Sequence, residues 1–290
     1  MKTKPYELRV PLRQKSSCVF SSPHSGATYS ESFKSGSQLE FLKLRSSEDA
    51  FVDELFSKVV TYGAQLISAT APRSFVDLNR RENELDPELI SELPDKAKYD
   101  PIPSGLGVIP RVVANGRVIK SGKISFQEVT ERLNSYYYPY HKDLIKILET
   151  TRSTWGNVVL FDCHSMPQEA VKVLSNSQKE IPDIVLGDCF GKSCDSHIFE
   201  QTEKAFRNQG FEVLRNIPFS GGFITQNYGD PNLKQHAIQI EINRSLYMDE
   251  LEIAKTKNFN SFKKRISAAL YELVQLGTGK KITCSRVISS

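Results

Sequence analysis

Apolar residues follow two alternating rhythms along this chain, compact runs and stretches with apolar positions three and four apart. That alternation predicts strands and amphipathic helices in turn, hence an α/β domain with a mixed, mainly parallel central sheet flanked by helices. Strands are expected near 17–22, at Leu66-Ile67-Ser68-Ala69, at Val158-Val159-Leu160-Phe161 running on to His164, at Ile184–Gly187, at Phe211–Leu214 and over 237–244. A helix is expected at about 47–62, capped by Ser46 or Ser47, with Phe51, Val52, Leu55, Phe56 and Val59 on one face. Another runs from roughly 126 to 150, where Ser125 and Glu128 form a capping box and Pro139 introduces a kink. Helices over 196–209, stopped by Gly210, and over 258–276 complete the set. Residues 82–125 are rich in Pro, Gly and charge and read as a long excursion over the surface. No repeat or linker divides residues 1–290, so a single domain is expected.

Composition narrows the function more than the fold. A net charge of +4 from 38 basic and 34 acidic residues, with the basic ones scattered, gives no footprint for nucleic acid. No apolar run approaches the ~20 residues that span a bilayer, and the N-terminus leads into no signal-type core, so a cytoplasmic protein is expected. The five cysteines, Cys18, Cys163, Cys189, Cys194 and Cys284, contain no C-x-x-C pair. Reduced thiols are the expectation.

The chemistry sits at strand ends. Val158–Phe161 leads into Asp162-Cys163-His164-Ser165, and Cys18–Ser22 leads into Pro23-His24-Ser25-Gly26, so two imidazoles stand where strands stop. Two such histidines could share a metal. The strand-like segment Ala237–Arg244 carries Glu241 within an apolar run, and a carboxylate is seldom buried without a partner or a task. Alternation along a strand sends Cys163 to the core while His164 faces the site, and leaves Asp162 on the same face as His164. A hydrolytic metal centre is the reading these residues suggest.

In chain order, Pro23-His24-Ser25-Gly26, Val76-Asp77-Leu78-Asn79-Arg80, Gly105-Leu106-Gly107-Val108-Ile109, Tyr140-His141, Asp162–Pro167 and Gln239–Met248 resemble the motifs of the N-formylglutamate amidohydrolase family. The resemblance spans roughly 17–275. It implies a zinc-carboxypeptidase-like fold, one zinc per chain (or another divalent metal), and a small anionic N-acyl amino acid as substrate, with a link to histidine degradation. It also implies metal ligands at His24 and His164. The compact His-x-x-Glu of carboxypeptidases is missing, because Ala27 stands three residues after His24. The third ligand is therefore sought in Ser46-Ser47-Glu48-Asp49-Ala50-Phe51-Val52-Asp53, where Asp49 is favoured over Glu48 and Asp53 and would suit a helix N-terminus.

Two imidazoles and a carboxylate leave a zinc position open for water, the pattern of a catalytic site. Glu241 is the candidate general base. A substrate with two carboxylates calls for fixed guanidinium groups, for which Arg80, Arg111 and Arg244 are candidates; Arg80, beside Asn79, is also a candidate for the developing oxyanion. Arg244, three residues past Glu241, would point away from it on a strand and could instead form a structural salt bridge. Ser220-Gly221-Gly222 could bring backbone N–H groups to a substrate anion, with Gly222 the candidate. His141 reads as a packing residue, His197 as a helix-start residue and His236 as a loop residue. Ser165 lacks the Gly-x-Ser-x-Gly elbow of a serine hydrolase. The alternatives are a catalytically idle small-anion binding protein on the same scaffold and a peptide-cleaving metallocarboxypeptidase.

Overall fold

The computed structural model describes residues 4–93, 99–102, 104–175 and 181–278; Cys284 lies outside them. Seven strands form the main sheet: β1 (Tyr6–Arg9), β2 (Cys18–Ser22), β3 (Gln65–Ala69), β4 (Val158–Met166), β5 (Ile184–Gly187), β6 (Val213–Arg215) and β7 (Gln235–Asn243). Their spatial order is β1-β3-β2-β4-β7-β5-β6. The four inner strands β3, β2, β4 and β7 run parallel, whereas β1 on β3 and β5 on β7 are antiparallel. This is the mixed, mainly parallel sheet of the sequence reading, with β1 added at one edge.

Side-chain alternation splits each inner strand between two cores. Cys18 and Phe20 of β2, Val159, Phe161 and Cys163 of β4, and Ile238, Ile240 and Ile242 of β7 pack under the C-terminal helix Phe259–Leu276. Val19, Val158, Leu160 and Ala237 face the helix Tyr138–Trp155 on the other side. The same second face turns polar at the carboxyl ends, where β4 and β7 place Asp162 opposite Gln239 and His164 opposite Glu241. Open α/β sheets bind ligands outside these strand ends.

Several expected elements differ in form. The helix expected over 47–62 is broken into a turn at Arg45–Ser47 and two short helices, Val52–Phe56 and Val59–Tyr62. Glu48 is extended and Phe51 is left-handed at φ 66°. A left-handed backbone costs a non-glycine residue about 1–2 kcal/mol, and here it accompanies a chain course that brings Asp49 inward rather than along a helix. The helix expected from 126 is capped by Ser125 and interrupted by a π-turn over Leu133–Tyr137 just before Pro139, which has no N–H to continue the ladder. The excursion over 82–125 is more than surface loop: Leu85, Leu89, Ile90, Val108, Ile109 and Ile124 are buried in the second core. No helix among the described residues is long and apolar enough to cross a membrane.

Candidate metal centre and active site

Three chain crossings assemble the site. The turn after β2 delivers His24, β4 delivers His164 near its end, and the extended residues before Val52 deliver Asp49, whose backbone N–H donates to the His24 carbonyl at 3.0 Å. One ligand atom from each of His24, Asp49 and His164 lies within 4.8 Å of the others, and all three residues are buried. The two rings stand 4.7 Å apart, centroid to centroid.

Hydrogen-bond partners assign the tautomers. His24 Nε2 lies 2.6 Å from Asp77 Oδ1, and His164 Nε2 lies 3.0 Å from Asp162 Oδ2. A carboxylate only accepts, so each Nε2–H points to the acid behind its ring, and both Nδ1 atoms are the ring nitrogens left facing the cluster. Both Nδ1 atoms converge on Asp49: Oδ2 is 2.9 Å from His164 Nδ1 and 3.5 Å from His24 Nδ1. Buried His24 Nδ1 has no hydrogen-bond partner. An orphaned imidazole nitrogen beside a second imidazole and a carboxylate is a donor set that fits a divalent metal, with each ring oriented by a carboxylate behind it.

The neighbouring acids are otherwise engaged. Glu48 is buried but held by both forks of Arg45 at 2.9 Å, and Asp53 points to Arg9. Asp49 is therefore the acid of its segment that meets the histidines. Burial works against its charge, but His164 and His24 beside it and the Arg244 guanidinium outweigh that and hold its carboxyl well below the usual range. Burial likewise opposes charge on Asp77, which His24 and Arg73 nevertheless keep low.

Glu241 lies across from His164 in register and faces the same cavity of about 850 Å³. Burial, reinforced by the Asp49 charge, pushes its carboxyl up to about 7 against the pull of His164, Arg73 and Arg244. Among the described residues its hydrogen bond comes from Gln239, whose Nε2 donates to Oε1 at 2.8 Å.

Comparison with known proteins decides the family. A model of the N-formylglutamate amidohydrolase family matches residues 16–248. The chain belongs to that family. An N-formylglutamate deformylase of Pseudomonas putida is 30% identical over 247 residues, covering 84% of each sequence, and one of Pseudomonas aeruginosa is 28% identical over 245 residues. The crystal structure of N-formylglutamate amidohydrolase from Ralstonia eutropha superposes with a TM-score of 0.88 at 31% identity, covering 95% of this chain and 99% of that one. A gene product of Agrobacterium tumefaciens shares the fold at a TM-score of 0.59 and 19% identity.

Within this amidohydrolase-family frame, other residues named from the sequence take definite places. Arg80 lines the cavity, partly exposed, and among the described residues its ion pair is a 3.5 Å contact from Nη1 to Glu84. Asn79 also lines it, but its amide is committed: Oδ1 accepts from the Ile224 N–H at 2.6 Å and Nδ2 donates to Asp162 at 3.3 Å, packed against His164. Its place is behind the ligand ring, not on an open substrate surface. Arg111 corrects the expectation of a substrate contact, because its Nε is 2.5 Å from buried Asp86 and it pins the excursion outside the cavity lining.

Arg244 is also corrected in position. The strand ends at Asn243, whose side chain accepts from Ser245 and starts a 3₁₀ turn, so strand alternation stops applying. The turn swings Arg244 back to Asp49 Oδ1 at 2.8 Å and Ser165 Oγ at 3.1 Å. Gly222 lines the cavity, yet its N–H goes to Gln239 Oε1 at 2.6 Å. A Cβ there would sit 2.5 Å from Asn79 Nδ2, so glycine is required by close packing and not by an anion.

Among the other histidines, His141 is a packing residue as expected and His197 is exposed at a helix start. His236 is buried in β7 and accepts from the Asp195 N–H at 3.3 Å, which replaces the loop expectation. The sequence reading missed Arg73, Asp77 and Gln239. Arg73 lines the cavity and donates to Asp77 Oδ2 at 2.9 Å. Asp77 was visible within Val76–Arg80, and Gln239 stands two residues before Glu241 on the same strand face, which is the signal that could have found it.

Proposed function

We propose that this chain is a zinc-dependent amidohydrolase that cleaves N-formyl-L-glutamate to glutamate and formate, a reaction suited to the end of histidine degradation. The observation that carries the reading is the convergence of two imidazole Nδ1 atoms and one buried carboxylate in a cavity that also holds Glu241. His24, Asp49 and His164 would hold the ion, and a nitrogen–oxygen set of this kind with room for a further ligand favours zinc. When bound, zinc supplies Lewis acidity and a water whose pKa falls from 15.7 toward ~7.

Glu241 accepts the proton of the attacking water and returns it to the departing amine nitrogen. A C–O bond forms at the formyl carbon as the C–N bond breaks, and protonation lets nitrogen leave as a neutral amine. Asp77 and Asp162 hold the two imidazole rings in the tautomers that metal binding needs. Arg80 is a cavity guanidinium held by a long ion pair of 3.5 Å, and it serves a substrate carboxylate. Arg244 stays with Asp49. The buried free thiols Cys18, Cys163 and Cys194 suit a reducing cytoplasm.

The test is release of formate from N-formyl-L-glutamate by the purified chain. Activity is expected to disappear on chelation and to return with zinc. A fully zinc-loaded protein that releases no formate from this substrate, or activity indifferent to chelation, would overturn the reading.

A further inference from the structure

Gln239 and Glu241 are two residues apart on β7 and so project from the same face into the site. The Gln239 side chain is buried, and its amide bridges two groups of opposite hydrogen-bonding character. Its Oε1 accepts from the Gly222 backbone N–H at 2.6 Å, and its Nε2 donates to Glu241 Oε1 at 2.8 Å. An N–H partner on one side and a carboxylate on the other leave the amide one orientation.

The approach of the 220–222 segment depends on two missing side chains. Gly187 pairs with Gln239 across β5 and β7, and a Cβ on Gly187 would come within 2.6 Å of the Ser220 carbonyl carbon. Gly222 in turn makes room for the Asn79 amide. Asn79 accepts from the Ile224 N–H just as Gln239 accepts from Gly222, so one short segment is held by the amide beside His164 and by the amide beside Glu241. The metal side and the base side of the cavity are registered against two backbone N–H groups of the same short segment, those of Ile224 and Gly222.

We infer that Gln239 is a positioning residue for the proposed reaction: it fixes one oxygen of Glu241 and leaves the other for the attacking water, while tying the base to the 222–224 segment. The inference rests on Glu241 acting as the general base. Neither Met, which has no polar atom to give, nor Glu, which cannot donate when ionised, can replace an amide that accepts and donates at once.

The experiment compares the parent enzyme with Gln239→Met and Gln239→Glu on N-formyl-L-glutamate, with zinc content and thermal unfolding measured on the same preparations, and adds crystal structures of the parent and Gln239→Met. Loss of an orienting partner typically costs about 10–100-fold in activity. A fall of that size in kcat is expected for both variants, with KM within roughly 3-fold, unchanged zinc content, and Glu241 displaced from its parent rotamer in the Met variant. Parent-like kcat in Gln239→Met, a change confined to KM, or an undisturbed Glu241 in its crystal structure would overturn the inference. An inactive parent would instead sink the proposed reaction, and the position of Glu241 in the two crystal structures would still decide whether Gln239 holds it. If Gln239→Met does not fold, Gln239→Glu carries the kinetic comparison.

Discussion

Two of the buried histidine environments among the described residues differ in how their ring nitrogens are partnered. His141 donates from Nε2 to the Leu78 carbonyl at 3.0 Å and accepts at Nδ1 from the Tyr228 hydroxyl at 2.8 Å, among the rings of Tyr137, Tyr140 and Phe223. Burial pushes its pKa down to about 4, so the ring is neutral and saturated. His24 and His164 are as deeply buried, yet they have carboxylates behind them and Nδ1 atoms aimed at a third carboxylate. Burial does not separate a ligand from a packing residue. A ring nitrogen turned to an acid that a second imidazole shares does.

The contrast breaks most severely if the ligand set is removed. His24→Ala and His164→Ala are expected to lose bound metal and to drop formate release to background, whereas His141→Gln keeps both. Elemental analysis beside an activity assay checks this, and a metal-replete, active His24→Ala would erase the distinction. Glu241→Gln should keep the metal and substrate affinity but lose about 10²–10⁴-fold in turnover, because the amide preserves shape and cannot take the proton. For the parent, protonation of Glu241 removes the base, so kcat/KM should fall as pH drops. Burial sets that limb near 7, and a bound dication draws it lower. A pH–rate profile whose acid limb survives in Glu241→Gln would assign it to another group.

Smaller effects probe what orients the site. Arg80→Ala should cost N-formylglutamate roughly 10–100-fold in kcat/KM, since a charge-assisted hydrogen bond is worth roughly 1.5–3 kcal/mol. An uncharged formamide should be spared, and equal losses on both would move Arg80 to the oxyanion or the fold. Asp77→Asn should weaken metal affinity by about 10–100-fold while leaving activity recoverable at saturating zinc. A metal titration with unchanged affinity would reduce Asp77 to a structural acid.

His141→Gln reads out in stability. Its folded pKa of about 4 lies below the 6.5 of the unfolded chain, so between those values the unfolded state binds the extra proton and stability is lost as pH falls. The full span is worth roughly 3 kcal/mol. Urea melts from pH 7 to 4 should show a shallower acid decline in His141→Gln than in the parent, and identical slopes would mean that His141 takes up its proton alike in the folded and unfolded states.

The inner strands were legible because β2, β4 and β7 are apolar runs that end in polar residues, and alternation alone placed Cys163 in the core and His164 at the site. Asp49 was legible only as one of three acids. What selects it is the broken helix: the left-handed Phe51 and extended Glu48 belong to the tertiary contacts of Asp49, which local helix periodicity does not contain. Arg111 and Arg244 failed as simple extrapolations, one because Asp86 is remote in sequence and the other because a strand gave way to a turn one residue earlier. Asp77 acts through His24, remote in sequence, and Gln239 bridges Glu241 on its own strand to the Gly222 N–H of a separate segment, so their motif neighbours gave position without purpose.

The location of a metal in the crystal tests the central claim most directly. Anomalous scattering at the zinc edge, from crystals grown with zinc, should show one peak about 2.0–2.2 Å from His24 Nδ1, His164 Nδ1 and an Asp49 oxygen. A peak ligated by other residues, or an empty His24–Asp49–His164 cluster in a protein that carries zinc elsewhere, would contradict it.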